Sequence, residues 1–424
     1  MVHAIREAYR QAFSGLPRQV WLLALVTFIN RSGTLVLPFL ALHLTEQRGF
    51  SAAAAGRALG IYGVGGMAGA YLGGRLCDRL TPRRVMALSL VGQGAGFLVL
   101  GLLRARPGIL AMMFGLSIMG EAFRPATAAA LVRESRPGEQ ARAFALNRLA
   151  VNLGLTFGPA AGGFLAGISY LWLFIVDGAS CLLAALFLLA AFRKEKPLPA
   201  PAGEAGPGRS PWRDPVFLGI LSLMTILGMV LFQIFSTYPL ILHARYGFSE
   251  ARIGLVLAIN TLVISLFEMV LVHRLRDREP LRVAGLGCFL FCAGFALLPL
   301  GSSFAFVAAT VLIWTVGEML SLPFISGWVG DRAGRENLGD YMGLFTLSFS
   351  IALVLGPPAG TWVYQRYGGP ALFYGCGVVG PLLWAGFALL APRPGRGGIA
   401  AGAIFPSVAR WRFSIRSAFG KKSH

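Results

Sequence analysis

The chain has 424 residues, of which 56% are hydrophobic and 13% charged, and its mean hydropathy is +0.67. This composition excludes a water-soluble globular domain and indicates a protein that crosses a membrane several times. The formal net charge of +20 could suggest a nucleic-acid partner. The basic residues border apolar stretches instead of forming one stripe with interleaved aromatic residues, however, so no nucleic acid is expected.

Twelve apolar stretches are each long enough to cross about 30 Å of hydrocarbon as a helix, and they predict spans 1 to 12. They lie at about 19–45, 54–76, 82–104, 107–133, 141–168, 171–192, 215–242, 250–273, 280–301, 304–329, 337–364 and 369–391. Of the 38 Lys and Arg residues, 28 fall in the N-terminal segment, the even-numbered loops and the C-terminal tail, and seven in the odd-numbered loops. Under the positive-inside rule this bias predicts cytoplasmic termini for a multi-pass protein, which we expect in a bacterial inner membrane.

Charged residues near the middle of spans 1 and 4 are candidates for function. Span 4 carries Glu121 and Arg124 in the sequence GEAFRP, three residues apart and therefore on one helix face. Span 1 carries Asn30 and Arg31. An unpaired guanidinium at this depth costs about 2.5–3.5 kcal/mol on insertion scales, so Arg31 needs a carboxylate or a wet cavity. Glu121 is its first candidate partner and Asp177 in span 6 the second, although a buried ion pair that only joins helices explains the same residues.

Span 10 repeats this arrangement with one acid and no arginine. Its sequence GEMLSLP puts Glu318 at the depth that Glu121 has in span 4. Glu318 has no basic residue within its own helix, and Trp314 lies one turn before it, which is an apolar setting that favours the neutral carboxyl group. Arg31 and Arg124 should instead keep Glu121 ionised. We therefore predict that Glu318 is the proton carrier, with Glu121, Glu268 and Asp177 as the other proton-coupling candidates.

Spans 5 and 8 carry the remaining polar candidates. In span 5, two rows at i+4 spacing lie about half a turn apart, Arg148, Asn152 and Thr156 in one row and Gly154, Gly158 and Gly162 in the other. The polar row is predicted to face a cavity, and the glycine row to pack closely on a neighbouring helix. In span 8, Glu268 lies near the cytoplasmic end, where it is either functional or a partner for Arg274 or Arg276.

The loop between spans 2 and 3 reads GRLCDRLTPRR at 74–84 and resembles motif A of the major facilitator superfamily. The matching residues are Gly74, Leu76, Asp78, Arg79 and Arg83, and Thr81 stands where the family usually has glycine. The resemblance implies that Asp78 holds one conformation by pairing across the two halves of the protein. Ordinary anchoring by basic residues on the cytoplasmic side is the alternative.

Span 5 contains GLTFGPAAGG at 154–163, which resembles a motif of the drug:proton antiporter branch of that superfamily. Uptake symporters usually lack this motif. The resemblance implies that Gly154, Gly158, Pro159 and Gly162 belong, with motif A, to the conformational switch. Arg124, followed by the small residues PATAAA, is similar to the span-4 arginine that the proton-coupled exporters of this branch associate with proton transfer.

The second half of the chain echoes the first at an offset of about 198 residues. GFS recurs at 49–51 and 247–249, RLCDR at 75–79 returns as RLRDR at 274–278, and GPAAG at 158–162 returns as GPPAG at 356–360. A parallel repeat of six spans per half is typical of major facilitator transporters. The predicted organisation is therefore all-α, with a six-helix bundle at 1–192, a proline-rich cytoplasmic linker at 193–214, a second six-helix bundle at 215–392 related by pseudo-two-fold symmetry, and a basic tail at 393–424.

These features predict a monomeric secondary transporter that exchanges protons for small amphipathic or hydrophobic molecules and exports them. Asn30, Arg31, Arg124, Arg148 and Asn152 are the predicted polar binding residues, and Phe232, Phe235, Tyr238 and Trp314 the predicted apolar wall. No enzyme activity, cofactor or metal site is expected, since the histidines lie at termini or helix ends and the cysteines suit packing positions. Proton-coupled uptake of a nutrient or short peptide stays open, because Asn30, Arg31 and Arg148 could hold a carboxylate. A lipid flippase or a non-transporting membrane sensor is the alternative from another class.

Overall fold

The computed structural model describes residues 15–136, 139–192, 210–275, 277–333 and 338–392. Helix is the only regular secondary structure in those ranges. The first half contains α1 (Arg18–Gln47), α2 (Ala52–Arg79), α3 (Pro82–Leu102), α4 (Arg106–Glu134), α5 (Gln140–Ile168) and α6 (Tyr170–Ala191). The second half contains α7 (Pro215–Ala244), α8 (Glu250–Leu275), α9 (Pro280–Leu300), α10 (Phe304–Ala333) and α11 (Leu338–Leu390). Helices α1 to α10 correspond to predicted spans 1 to 10, and α11 covers predicted spans 11 and 12.

Three of these helices are interrupted. Helix α1 consists of Arg18–Ser32 and Val36–Leu42 and ends in a π-helical turn, and α7 passes through a 3-10 turn at Phe232–Phe235. Helix α11 breaks at Gly368, whose φ of 84° and ψ of 168° form a backbone conformation that glycine adopts without steric strain. The break lies between predicted spans 11 and 12 and divides α11 into a first limb (338–367) and a second limb (369–390).

The number of membrane-crossing helices is close to the prediction. Within the described residues, ten helices are long and apolar enough to cross a membrane. Helix α2, which is rich in glycine and alanine, is not among those ten, and the two limbs of α11 count as one. The structure therefore has about ten to twelve apolar helices, and the count of twelve stays a prediction.

The repeated GFS sequence adopts the same local structure in both halves. Gly49 has a φ of 63° and Gly247 a φ of 65°, a left-handed conformation that favours glycine. The next residues, Phe50 and Phe248, each donate their backbone N–H to the carbonyl oxygen six residues earlier, at 2.9 and 3.0 Å. The sequence repeat is thus also a structural repeat at these two loops.

The two halves of the chain meet mainly where α2 packs on α11 and where α5 packs on α8. Small residues allow the helix backbones to approach closely. A Cβ atom added to Gly60 in α2 would lie 2.9 Å from the carbonyl oxygen of Val354 and 2.9 Å from Cγ of Pro358. A Cβ atom added to Gly163 in α5 would lie 3.0 Å from the Cα atom of Gly254 in α8. Both contacts lie toward the ends of the helices that border odd-numbered loops.

Large apolar side chains cover much of the outer surface, as expected for helices solvated by hydrocarbon. Exposed examples include Phe157, Leu186, Leu266, Trp362 and Leu382. The predicted tail at 393–424 and most of the predicted linker, from 193 to 209, lie outside the described residues. The domain boundaries therefore stay predictions.

Candidate functional site

A cavity of ≈ 180 Å³ is lined by residues from both halves of the chain. Helices α1, α2, α3, α4 and α6 contribute from the first half, and α7 and the first limb of α11 from the second. Its lining side chains are Asn30, Arg31, Thr34, Leu37, Tyr62, Gln93, Phe97, Glu121, Arg124, Asp177, Cys181, Phe232, Thr346, Phe349, Ser350 and Leu353. Apolar walls with a few convergent polar groups are typical of small-molecule sites.

The charged residues predicted for spans 1 and 4 meet at this cavity, but their pairing differs from the prediction. Glu121 accepts a hydrogen bond from Arg124 on the same helix, with 3.3 Å between Oε2 and Nη1. The three-residue spacing on one helix face produces this pair. Arg31 lines the cavity, and its Nε atom is buried without a hydrogen-bond partner. The direct ion pair of Arg31 with its first candidate partner, Glu121, is therefore not formed, although Glu121 is within electrostatic reach of Arg31.

Asp177, the second predicted partner of Arg31, instead holds the break in α1. Its two carboxylate oxygens accept backbone hydrogen bonds from Leu35 at 2.8 Å and Val36 at 3.0 Å. These N–H groups lie at the start of the second segment of α1, where a helix has no carbonyl oxygen one turn earlier to accept from them. The Leu35 N–H also donates to the carbonyl oxygen of Gly33 at 2.9 Å. Asp177 is 1% exposed. The geometry gives this carboxylate a structural position, and its predicted part in proton coupling stays a prediction.

A short polar chain joins α1, α6 and α3 beside the cavity. The side-chain amide of Asn30 donates to the Cys181 sulfur at 3.3 Å, and the Cys181 thiol donates to Oε1 of Gln93 at 3.6 Å. Asn30 was predicted as a binding residue from its depth in span 1. Gln93 was missed, although a lone amide in the apolar run of span 3 was the available signal.

Glu318 does not line the cavity. It lies partly buried in α10, and its Oε2 atom accepts a hydrogen bond from the side-chain amide of Asn260 in α8 at 3.0 Å. Asn260 also donates to the hydroxyl of Thr315 at 3.1 Å. The sequence predicted an apolar setting, whereas the structure places the amide of Asn260 against the carboxyl group and the charged groups of Arg148 and Glu268 within electrostatic reach.

The polar row of α5 faces α8 instead of the cavity. Arg148 forms an ion pair with Glu268, and this contact joins the two halves of the chain. Two turns further along α5, Thr156 and Ser265 of α8 bring their hydroxyl oxygens within 3.5 Å. Neither Arg148 nor Asn152 is among the lining residues. Of the two alternatives that the sequence left open for Glu268, a function or a pairing with Arg274 or Arg276, the pairing with Arg274 is not formed, and Arg276 lies outside the described residues.

The glycine row of α5 packs on α1, as predicted for small residues. A Cβ atom added to Gly154 would lie 2.7 Å from Cβ of Arg31, and one added to Gly158 would lie 2.9 Å from the carbonyl oxygen of Thr34. At Gly162 the nearest atom would be Cε2 of Phe39, at 3.1 Å. Pro159 continues this helix and is buried. The motif thus places the α5 backbone directly against Arg31.

The predicted apolar wall is only partly at the cavity. Phe232 lines it. Tyr238 and Trp314 are fully buried in the core of the second half, with ring centroids 6.5 Å apart, and Phe235 packs beside that core. These three residues do not line the cavity. Tyr238, which follows the 3-10 turn of α7, packs against Phe295 of α9 and Trp314 of α10. Phe97, Phe349 and Leu353 supply the wall that the sequence did not predict.

The motif A region forms charged contacts at the end of α4. Arg83 donates to Glu134 at 2.5 Å and lies over the ring of Phe192, 4.2 Å from its centroid. Arg79 is exposed, and a Cβ atom added to Gly74 would meet nothing within 4 Å. The side chain of Asp78 lies outside the described part of the structure. Its pairing across the halves therefore stays a prediction.

A second charged cluster, at the start of α7, was not predicted. Asp214 caps α7 by accepting the backbone N–H of Phe217 at 3.2 Å. It also accepts two hydrogen bonds from Arg332, at 2.5 and 2.8 Å, and one from Tyr341 at 3.1 Å. The hydrogen bonds from Arg332 lower the pKa of the Asp214 carboxyl group below its usual value.

The helices, the cavity and the repeated loops define a polytopic transporter fold. The family model described as Major Facilitator Superfamily matches residues 20–353, so the chain belongs to that superfamily. It is 26% identical over 366 residues to the uncharacterized MFS-type transporter YhjO of Bacillus subtilis, covering 84% of this chain and 88% of that protein. It is 24% identical over 341 residues to the multidrug resistance protein MdtH of Photorhabdus laumondii, covering 78% of this chain and 82% of that protein.

Solved structures share the fold at lower identity. A POT family transporter crystallised with 5-aminolevulinic acid matches with a TM-score of 0.76 and 17% identity, over 90% of this chain and 97% of that chain. The nucleoside transporter NupG matches with a TM-score of 0.73 and 13% identity, over 88% of this chain and 100% of that chain. These matches establish a common fold.

Proposed function

We propose that this transporter exports amphipathic or hydrophobic small molecules in exchange for protons, by alternating access. The observation that carries the proposal is the cavity, where residues of both halves surround ionisable side chains and apolar walls. Secondary transporters of this kind bind their substrates between structural repeats. The multidrug resistance proteins MdtH among the relatives, at 24% identity, support the substrate class.

In this proposal the two halves, 1–192 and 215–392, are six-helix bundles that rock against each other around the cavity. In the conformation described, the close contacts of α2 with α11 and of α5 with α8 would close the cavity toward one side of the membrane. By the charge bias of the loops, that face is the external one, and both termini lie in the cytoplasm. We further propose a monomer in a bacterial inner membrane.

Protons would be carried by Glu318. Glu318 accepts a hydrogen bond from the neutral amide of Asn260 at 3.0 Å. Among the described residues, no basic side chain forms an ion pair with Glu318, and the nearby Arg148 is paired with Glu268. A carboxyl group in such a setting can exist in both the neutral and the ionised form. Glu121, by contrast, already forms an ion pair with Arg124, with 3.3 Å between the two side chains.

A second candidate is proton-coupled uptake of a small carboxylate nutrient or short peptide. The buried Nε atom of Arg31, which has no partner, is the specific observation in its favour, because a carboxylate substrate could accept from it. The POT family transporters with the same fold, one of them crystallised with 5-aminolevulinic acid, agree with this alternative.

The direction of proton movement separates the two functions. The purified protein would be reconstituted into liposomes that contain a pH-sensitive dye, and fluorescent amphipathic probes of negative, zero and positive charge would be added outside. An exporter that exchanges protons draws the probe into an acidic interior while the interior pH rises. A symporter accumulates the probe only from an acidic exterior while the interior pH falls. Equal rates in protein-free liposomes would contradict both functions.

A further inference from the structure

We propose that the cavity selects organic anions, and that Arg31 binds their carboxylate, sulfonate or phosphonate group while the apolar wall holds the rest of the molecule. This inference rests on the proposed transport function and names its substrate class. The inference is based on the ion pairs and hydrogen bonds of the charged side chains that line the cavity.

Four side chains with formal charges line the cavity, two basic and two acidic. Glu121 is paired with Arg124 at 3.3 Å. Both carboxylate oxygens of Asp177 accept hydrogen bonds from the backbone N–H groups of Leu35 and Val36. Arg31 is the exception, because no ion pair within 4.0 Å joins it to another described residue and its Nε atom has no hydrogen-bond partner. Glu121 is within electrostatic reach of Arg31, but it is hydrogen-bonded to Arg124. The donors of Arg31 are therefore the charged donors that remain for a ligand.

An unsatisfied donor in a membrane interior is costly, and a ligand that accepts from it relieves that cost. The guanidinium group presents several N–H donors in a fixed fork, which matches the two or three oxygens of a carboxylate, sulfonate or phosphonate. Tyr62, Asn30 and Gln93 line the same cavity and offer further hydrogen bonds to those oxygens.

The position of Arg31 is fixed by the packing of α5. A Cβ atom added to Gly154 would lie 2.7 Å from the Cβ atom of Arg31 and 2.9 Å from its carbonyl carbon. The glycine row thus lets the two helices touch at the residue that would bind the anion. A displacement of α5 relative to α1 would therefore move Arg31, which couples anion binding to the conformation of the helices.

The opposite charge preference fits less well. A cationic substrate would have to bind Glu121, which already has Arg124 at 3.3 Å. Such a cation would also enter a cavity that Arg31 lines without a charge partner among the described residues. Like charges at short range repel, so a cation would have to displace Arg124 and tolerate Arg31.

The other end of the ligand is apolar. Leu37 and Phe97 from the first half, and Phe232, Phe349 and Leu353 from the second, contribute to the lining. An aromatic body attached to an anionic group would place its rings against side chains of both halves and its charge on Arg31. A ligand of this shape contacts both halves at once, as a transported substrate must.

Three probes of nearly equal size test the charge preference, 2-naphthylacetate, the neutral 2-naphthylacetamide and the cationic 2-(2-naphthyl)ethylamine. Their binding to the purified protein is measured by isothermal titration calorimetry at pH 7. We expect the carboxylate to bind about tenfold tighter than the amide, as for a hydrogen bond to a charged group, and the amine to bind weakest. Tighter binding of the amine, equal binding of all three, or no binding of any would overturn the inference.

Variants assign the preference to Arg31. Arg31→Gln should weaken binding of 2-naphthylacetate by about tenfold to a hundredfold and leave the amide unchanged, and Arg31→Lys should be intermediate because it keeps the charge and loses the fork. Arg57→Gln is the matched control, since Arg57 is exposed on α2 and does not line the cavity. Retained amide binding shows that Arg31→Gln is folded, and unchanged carboxylate binding in it contradicts the inference.

Transport measurements with the same three probes distinguish a failure of the proposed function from a failure of the anion site. If 2-naphthylacetate binds through Arg31 but no pH gradient moves any of the three probes across liposomes, the transport mechanism is wrong and the anion site stands. If protons drive the amine and not the carboxylate, the protein is a transporter and the anion site is wrong.

Discussion

Asp177 offers a direct test of how the break in α1 is held. Its two oxygens accept the N–H groups of Leu35 and Val36 at 2.8 and 3.0 Å, and the residue is 1% exposed. Asp177→Ala removes both acceptors. The Val36 N–H is left without a partner, whereas the Leu35 N–H keeps the carbonyl oxygen of Gly33 at 2.9 Å. A buried unpaired donor costs about 1–3 kcal/mol and a lost hydrogen bond about 0.5–1.5 kcal/mol, so the free energy of unfolding should fall by about 1.5–4.5 kcal/mol.

Asp177→Asn keeps one carbonyl oxygen and turns an NH2 group toward the other N–H donor. One hydrogen bond survives, so the expected loss is about 1–3 kcal/mol. Ser180→Ala is the control on the same helix, because the Ser180 hydroxyl donates to the carbonyl oxygen of Asp177 at 2.9 Å, within one turn. Its expected change is within about 0.5 kcal/mol.

Unfolding is followed by circular dichroism as purified variants are titrated with SDS in mixed micelles. The expected order of stability is wild type and Ser180→Ala first, then Asp177→Asn, then Asp177→Ala. A stability of Asp177→Ala within about 0.5 kcal/mol of wild type would refute the assigned role of Asp177. An Asp177→Asn variant of full stability that has lost proton-driven transport would instead favour the predicted proton-coupling role.

Three further outcomes follow from the contacts. Gly158→Leu should lower thermal stability and abolish transport, because its Cβ atom would lie 2.9 Å from a carbonyl oxygen of α1, whereas Gly167→Leu on the same helix meets open space and should resemble wild type in both assays. Asp214→Asn should destabilise the protein at pH 7, since a lowered pKa stabilises the folded state above the unfolded pKa of about 3.9. That difference in melting temperature should shrink as pH falls through the folded pKa, and a constant difference from pH 7 to pH 3 would exclude the carboxylate as its origin. Arg148→Glu and Glu268→Arg should each impair transport in liposomes and the double charge swap should restore it, because the pair joins α5 to α8. A double variant as impaired as the single ones would argue against a functional pair.

Local features of the chain were predictable because their causes lie within a few residues. The length of the apolar runs determines the helices, and Pro82, Pro215 and Pro280 mark the starts of three of them. The pair of Glu121 and Arg124 follows from a three-residue spacing on one helix.

Contacts between distant helices were not predictable from spacing. Arg148 and Glu268 are 120 residues apart in sequence, and nothing near either residue indicates the other. The role of Asp177 depends on backbone N–H groups that become available only because α1 breaks after Ser32. Trp314 was predicted to line the cavity because it is aromatic, whereas in the structure its ring packs into the aromatic core with Phe291 and Phe295. The depth of a residue in the membrane can be predicted from its position in an apolar run. The direction in which its side chain points depends on the helices that pack around it, which the sequence does not show.

The proposed proton carrier is tested most directly by Glu318→Gln in liposomes. Glutamine keeps a carbonyl oxygen for the hydrogen bond from Asn260 at 3.0 Å, so the variant loses the titratable proton and little else. Two activities are measured on the same vesicles, exchange of labelled substrate without a gradient and accumulation driven by a pH gradient. Glu121→Gln is the comparison, and it should weaken both activities because it removes the negative charge that pairs with Arg124. Glu318→Gln is expected to exchange substrate at the wild-type rate and to accumulate none, and accumulation of substrate by Glu318→Gln in response to a pH gradient would contradict the account.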